Sequence, residues 1–204
     1  MHPAIFEAFD RICRGRHAGG RVLEIGALPT DDALLALPAL RAAPHKVGIN
    51  LTRAGHHRDF EVVHGSANAM DQFPDASFDT VLSNATLEHD RYFWKTIAEI
   101  RRVMRPGGLV VLGVPGFVDT DLEERARRWI HRVRPLRRRW GAIAEAATLT
   151  YRVHNFPGDY WRFSTQAVTE VLLGGMNDVR VDVVLSPPRV IGSAVLGATP
   201  EGGR

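Results

Sequence analysis

Along the 204-residue chain, apolar and polar positions switch repeatedly between an extended and a helical period. The clearest stretch spans residues 78–115, FDTVLSNATLEHDRYFWKTIAEIRRVMRPGGLVVLGVP. Its opening apolar run, 78–82, predicts a strand, and Ser83-Asn84-Ala85 a polar turn. Trp94, Ile97, Ile100, Val103 and Met104 then recur at helical spacing. Arg105-Pro106-Gly107-Gly108 stops that helix, and 109–114 predicts a second strand. Strand, helix, turn and strand make one crossover of a parallel sheet.

The same alternation runs through the rest of the chain. Ile5, Phe6, Phe9 and Ile12 share one helical face over 4–13, which Gly15 and Gly19-Gly20 close. Residues 21–25 predict a strand ending at Gly26. Asp31-Asp32 predict the cap of an Ala- and Leu-rich helix through Ala42, with acidic groups where the helix dipole favours them. Residues 46–49 and 60–64 predict two more strands. After Val114 the pattern loosens until 179–185 and 190–196, β-rich runs joined by Ser186-Pro187-Pro188 that predict antiparallel neighbours. A helix over 166–173, capped by Ser164 or Thr165, precedes them. The whole predicts an α/β fold, a Rossmann-like, mostly parallel sheet of seven strands with helices on both faces and the last strand antiparallel. No repeat or low-complexity linker interrupts residues 1–204, which predict one domain with a basic insert at about 117–153.

Composition narrows the class without naming a function. A hydrophobic content of 45% can fill the core of a single domain of this length. No apolar run reaches the ~18 residues of a membrane span, and the N-terminus has no basic start followed by an apolar core. Cys13 is the one cysteine, so no intrachain disulfide forms. Together these predict a cytoplasmic chain, peripheral to a membrane if the insert lies on one. Nine histidines offer no recurring short spacing of the kind a metal site needs, so no metal is expected. Gly-x-Ser-x-Gly, the P-loop and Gly-x-Gly-x-x-Gly are all missing, which argues against the common hydrolase, triphosphatase and nicotinamide-dependent readings.

The 78–115 block resembles the class I S-adenosylmethionine-dependent methyltransferases. The likeness is to the branch with Phe-Asp-x-Val before the fourth strand, Leu-Glu-His after it and Arg-Pro-Gly-Gly before the fifth. It covers residues 20–198 and implies S-adenosyl-L-methionine as cofactor, a small-molecule methyl acceptor and a seventh strand inserted beside the fifth. In such open sheets, ligands bind outside the carboxyl ends of the strands. At the first end, Glu24, Gly26 and Ala27 fall in the family's acidic and glycine-rich element. Leu28 and Thr30 replace its second and third glycines, and Pro29 stiffens the loop. At the second, Asn50 and Leu51 stand where the family has an acidic residue for the ribose hydroxyls. Asn keeps one acceptor oxygen, and it also suits a cap for the next segment. At the third, Ser66, Ala67 and Asn68 match the adenine-binding stretch, with Ser66 in place of Asp. Asn84 and Ala85 line the pocket after the fourth strand. Glu88 and His89 then stand near the acceptor, with His89 suited to remove a hydroxyl proton. Both also suit a brace for the following helix.

Two further segments bear on the acceptor. In HNFPGDYWRFS, residues 154–164, the resemblance places a wall of the acceptor site that includes His154, Asp159, Tyr160 and Arg162. Phe163 suits a core plug and Arg162 an ion pair with Asp159. The insert surrounds Trp129, Val133, Leu136 and Trp140 with eight arginines between Arg125 and Arg139. A basic amphipathic segment over 125–140 fits either an anionic membrane contact or a lid with a solvated arginine face, and Pro135 breaks or kinks it. Nucleic acid is not expected, because the dense arginine cluster is confined to the insert and no nucleic-acid module is recognisable. Two functions stay open, methylation of a lipid, sugar or secondary metabolite, and a non-catalytic binding or partner protein on the same fold. The oligomeric state is not legible.

Overall fold

In the computed structural model, residues 1–117, 150, 154, 158–185 and 187–197 are described. The basic segment 125–140 lies outside the described residues. The described residues build one sheet of eight strands: β1 Arg21–Ile25, β2 His45–Asn50, β3 Gly55–His57, β4 Phe60–His64, β5 Phe78–Asn84, β6 Met104–Val114, β7 Asn177–Leu185 and β8 Pro188–Val195. Their spatial order is β3-β4-β2-β1-β5-β6-β8-β7. The central pairs β4-β2, β2-β1, β1-β5 and β5-β6 are parallel, and β8 runs antiparallel between β6 and β7. The expected seven strands are all present, and the eighth is the three-residue β3. It forms a hairpin with β4 at the sheet edge, too short to leave a period-2 signature.

Alternate residues of each strand feed two cores. Helix α1, Pro3–Gly15, packs Ile5, Phe9 and Ile12 with Val22, Leu82, Val111 and Ile191 on one face. Helix α2, Phe93–Val103, packs Ile97, Ile100 and Val103 with Leu23, Val81 and Val110 on the other. α3 begins at Thr165–Ala167, where the Ser164 hydroxyl accepts from the Ala167 amide, and continues as a π-helical turn, Val168–Leu172.

Three expectations change. The helix over 31–42 does not form, and two 3-10 turns, Leu34–Ala36 and Pro38–Leu40, replace it. Leu37 is held extended at ψ 135° before Pro38, which disfavours helical geometry in the preceding residue. Arg105-Pro106-Gly107-Gly108 ends the helix but is absorbed into β6, and the pairing with β5 slips between Phe78 and Thr80 to accommodate it. Met104 therefore begins a strand, and Trp94 points outward at 51% exposure instead of joining the buried face.

Candidate active site

The carboxyl ends of β1, β2, β4 and β5 form one rim of the sheet, and each carries a polar side chain that ties adjacent loops together. Glu24, near the end of β1, is buried, and its carboxylate accepts from the Leu35 amide at 3.0 Å. Burial pushes its pKa up to about 7, against the opposing pull of the Leu34 and Leu35 amides. It anchors the 3-10 turn that stands where a helix was expected. Gly26 follows at φ +80°, and a Cβ there would collide with Thr86 Oγ1 from the loop after β5. Thr86 Oγ1 in turn donates at 3.2 Å to the Ile25 carbonyl or to that of Asn84, binding the two strand ends together. Ala27 is fully buried against Gly48 of β2, so it offers the rim only backbone.

At the end of β2, Asn50 spends its side chain locally. Its Oδ1 accepts from the Thr52 and Arg53 amides at 2.9 and 3.1 Å, and its Nδ2 donates to the Ala27 carbonyl at 2.8 Å. This is the capping role that the sequence left open, with a second bond bracing the loop after β1. Leu28 and Leu51, beside these bonds, are 44% and 62% exposed. They form an apolar lip on adjacent strand ends.

The loop after β4 turns through Ser66, whose Oγ accepts from the Asn68 amide at 3.2 Å. Asn68 Nδ2 reaches across to Asp90 Oδ2 and Thr96 Oγ1 at 2.7 and 2.8 Å. Asp90 also receives the Tyr92 amide at 2.8 Å and, on its carbonyl, the Trp161 Nε1–H at 2.9 Å. One aspartate thus links the loops after β4 and β5 to the 158–163 segment. Ala67 packs half-buried on the core below.

After β5 the backbone strains. Ala85 sits at φ +55°, a region that residues with a Cβ seldom adopt, and its amide donates to the Gly113 carbonyl at 3.0 Å. Asn84 Oδ1 is shielded from water and receives no hydrogen bond, and it lies against Phe9 in space left by Gly113. Glu88 is fully buried in a 3-10 turn, Leu87–His89, with Oε1 3.3 Å from an Arg189 guanidinium nitrogen. Its Oε2 receives no hydrogen bond. His89 Nδ1 bonds the Gly158 carbonyl, which can only accept, so that nitrogen carries the proton.

Segment 158–163 lies over this turn. The Tyr160 amide donates to the Glu88 carbonyl at 2.8 Å, and Phe163 bridges to Gly116 at the end of β6. Asp159 is buried and bound by both terminal nitrogens of Arg162, and the His154 amide donates to it at 2.8 Å. The Arg162 guanidinium holds the Asp159 carboxyl well below the usual carboxylate range. The His154 ring stands edge-on to His89, centroids 4.8 Å apart. Tyr160 is half exposed beneath the Arg91 guanidinium, and Phe163 is buried against Phe93.

The structure therefore gathers Glu88, His89, His154, Asp159, Tyr160 and Arg162 at one end of the sheet. Glu24, Gly26, Ala27, Asn50, Leu51, Ser66, Ala67, Asn68, Asn84 and Ala85 form the neighbouring rim. Sequence reasoning did not single out Thr86, Asp90, Trp161 or Arg189. Arg189 comes from β8, about a hundred residues from Glu88, with no local signal linking them.

Residues 38–112 match the family model described as a methyltransferase domain. A 27-O-demethylrifamycin SV methyltransferase of Amycolatopsis mediterranei is 30% identical over 152 residues, which is 67% of this chain and 52% of that protein. The chain spans about half the length of that curated relative. A methyltransferase from Archaeoglobus fulgidus has TM-score 0.62 at 13% identity, covering 94% of this chain and 93% of that one. The Burkholderia thailandensis 1,6-didemethyltoxoflavin-N1-methyltransferase has TM-score 0.59 at 16% identity, covering 96% and 79%. At those identities the two structures speak for the fold alone, and the Leu-Glu-His and Arg-Pro-Gly-Gly motifs lie inside the matched sequence. By the family-model match and the 30%-identical relative, the chain belongs to the class I S-adenosylmethionine-dependent methyltransferases.

Proposed function

We propose that this protein transfers a methyl group from S-adenosylmethionine to a small molecule at the carboxyl rim of β1, β2, β4 and β5. The observation that carries the reading is the rim itself. Two exposed leucines, Leu28 and Leu51, leave an apolar lip that a purine would cover. When bound, the cofactor supplies an electrophilic methyl on a sulfonium, whose departure needs no acid.

The protein's part is alignment and proton handling. Thr86, Asn50 and Asp90 fix the loops that shape the rim, so an acceptor docked there is held in one orientation. His89 donates through Nδ1 to Gly158, which leaves Nε2 of the neutral ring as a base for an acceptor hydroxyl. His154, Asp159, Tyr160 and Arg162 form the acceptor wall, and Glu88, fully buried and paired with Arg189, braces the turn behind it and does not touch the acceptor. The name of the 30%-identical relative, a 27-O-demethylrifamycin SV methyltransferase, supports a small-molecule acceptor, here proposed as a lipid, sugar or secondary metabolite.

Calorimetric titration with S-adenosylhomocysteine tests the cofactor half. With Asn50 already bonded and Ser66 in place of Asp, the expected affinity is micromolar, about −8 kcal/mol. No heat at millimolar ligand would remove the catalytic reading. One observation favours a second reading, a binding protein on the same fold: the Asn50 oxygen is already used by the Thr52 and Arg53 amides. Binding of S-adenosylhomocysteine, the demethylated co-product, without transfer of labelled methyl to any acceptor in a small-molecule panel would support it.

A further inference from the structure

On the outer side of the acceptor wall, the start of α2 and the 158–163 segment present aromatic rings to solvent. Tyr92, Trp94 and Tyr160 are 45%, 51% and 46% exposed. Trp94 is braced from behind by Phe93 and Trp161, with centroids 5.5 and 6.5 Å away, so its outward position is built into the packing. Two cations accompany the rings. The Arg91 guanidinium lies 5.4 Å from the Tyr160 centroid, and Lys95 Nζ lies 5.2 Å from that of Tyr92. Both side chains are exposed, and neither is ion-paired among the described residues.

Among the described residues, the charge of this face is one-sided. Its nearest carboxylate, Asp90, is half-buried and turned inward, accepting from Asn68, Thr96 and the Tyr92 amide. Glu99, two turns further along α2, is held by Arg102 and the Met70 amide. Tyr92, at the start of α2, supplies no capping side chain, and the Asp90 carboxylate meets the helix start from the inner side. Exposed cations beside half-exposed Trp and Tyr rings suit a surface that is apolar inside and anionic outside.

We propose that Arg91, Tyr92, Trp94 and Lys95 form a docking patch for an anionic lipid surface. Trp and Tyr prefer the boundary between headgroups and acyl chains, where one end of the ring is dry and the other wet. Arg and Lys beside them reach the phosphates. The patch borders Tyr160, so docking brings the mouth of the acceptor wall against the bilayer. It rests on exposed geometry and does not depend on whether methyl transfer occurs.

Vesicle co-sedimentation of the full chain tests it, with phosphatidylcholine vesicles and with 3:1 phosphatidylcholine:phosphatidylserine at about 0.1 M salt. The wild type is expected to partition onto the anionic vesicles preferentially, with an added-salt dependence and a blue shift of tryptophan emission. The double substitution R91Q/K95Q should weaken that partitioning roughly 30-fold, from the usual contribution of a cation at an anionic membrane. Trp94→Ser should weaken binding and remove most of the blue shift, and an unchanged circular dichroism spectrum checks that it folds. Failure of the wild type to bind, or equal binding by R91Q/K95Q, would overturn the proposal. Concentration-dependent dimers of the wild type that Trp94→Ser abolishes, without vesicle binding, would assign the patch to a second copy instead.

Discussion

A methyl group on Gly26 would collide with the Thr86 hydroxyl, and the φ of +80° there would strain any L-residue as well. Gly26→Ala is therefore expected to destabilise the fold by about 2–4 kcal/mol, the sum of left-handed strain and overpacking. Urea denaturation measures it. Because the collision is with one side chain, Thr86→Ala in the Gly26→Ala background should recover part of the loss. Equal destabilisation of the single and double variants would show that backbone strain alone is responsible. Glu24 makes a different prediction, one of pH. Burial raises its carboxyl from 4.5 to about 7, so the folded state holds a proton that the unfolded chain releases. Stability is greatest below pH ~4.5 for this group and falls as pH rises through about 7. Glu24→Gln, which keeps an acceptor for Leu35, should flatten that decline and leave the protein more stable at pH 8 by on the order of 2 kcal/mol. An unaltered slope between pH 5 and 7.5 in chemical denaturation would place the titration elsewhere.

The elements around the site were legible to very different degrees, and the reasons are physical. The β5-α2-β6 crossover carries its own periodicity, and the Ser164 cap and the Arg162–Asp159 pair are local, so both could be read directly. The 31–42 segment could not, because apolar content and acidic caps argue for helix while a single proline, Pro38, decides against it. The bonds that join the loops were hidden, since Asn68–Asp90, Thr86–Ile25 and Glu88–Arg189 connect positions 22, 61 and 101 residues apart. Asp90 joins three loops, and Trp161 is its link to the 158–163 segment. Trp161→Phe keeps most of the ring packing on Phe93 and Trp94 but leaves the Asp90 carbonyl without that donor. It should cost about 1 kcal/mol in stability and selectively raise hydrogen exchange in 158–163. Asp159→Asn breaks a buried pair with Arg162 and should cost more, about 3–5 kcal/mol. If Asp159→Asn melts with the wild type, the pair contributes nothing net and the segment is held by its backbone bonds to Glu88, Pro115 and Phe117.

At the scale of the whole molecule, the sheet order decides where function can sit. β1 and β5 are parallel neighbours at the centre, with β2 and β4 on one side and β6 on the other, so their carboxyl ends converge on one rim. The two cores on opposite faces hold that rim rigid from α1 below and α2 above. A ligand seated across it touches loops from four strands and both layers, and it should stabilise the domain as a unit. S-adenosylhomocysteine at about 100 times its Kd is then expected to add about 2.7 kcal/mol. For a domain of this size that raises the melting temperature by roughly 5–10 °C. The rise should grow with the logarithm of ligand concentration, as binding to the native state alone requires. Gly26→Ala should show a smaller rise at equal concentration, because a shifted Thr86 disturbs the junction of β1 and β5. Differential scanning calorimetry over three decades of ligand reads both slopes. A flat response in the wild type would place the ligand, if there is one, away from the carboxyl rim.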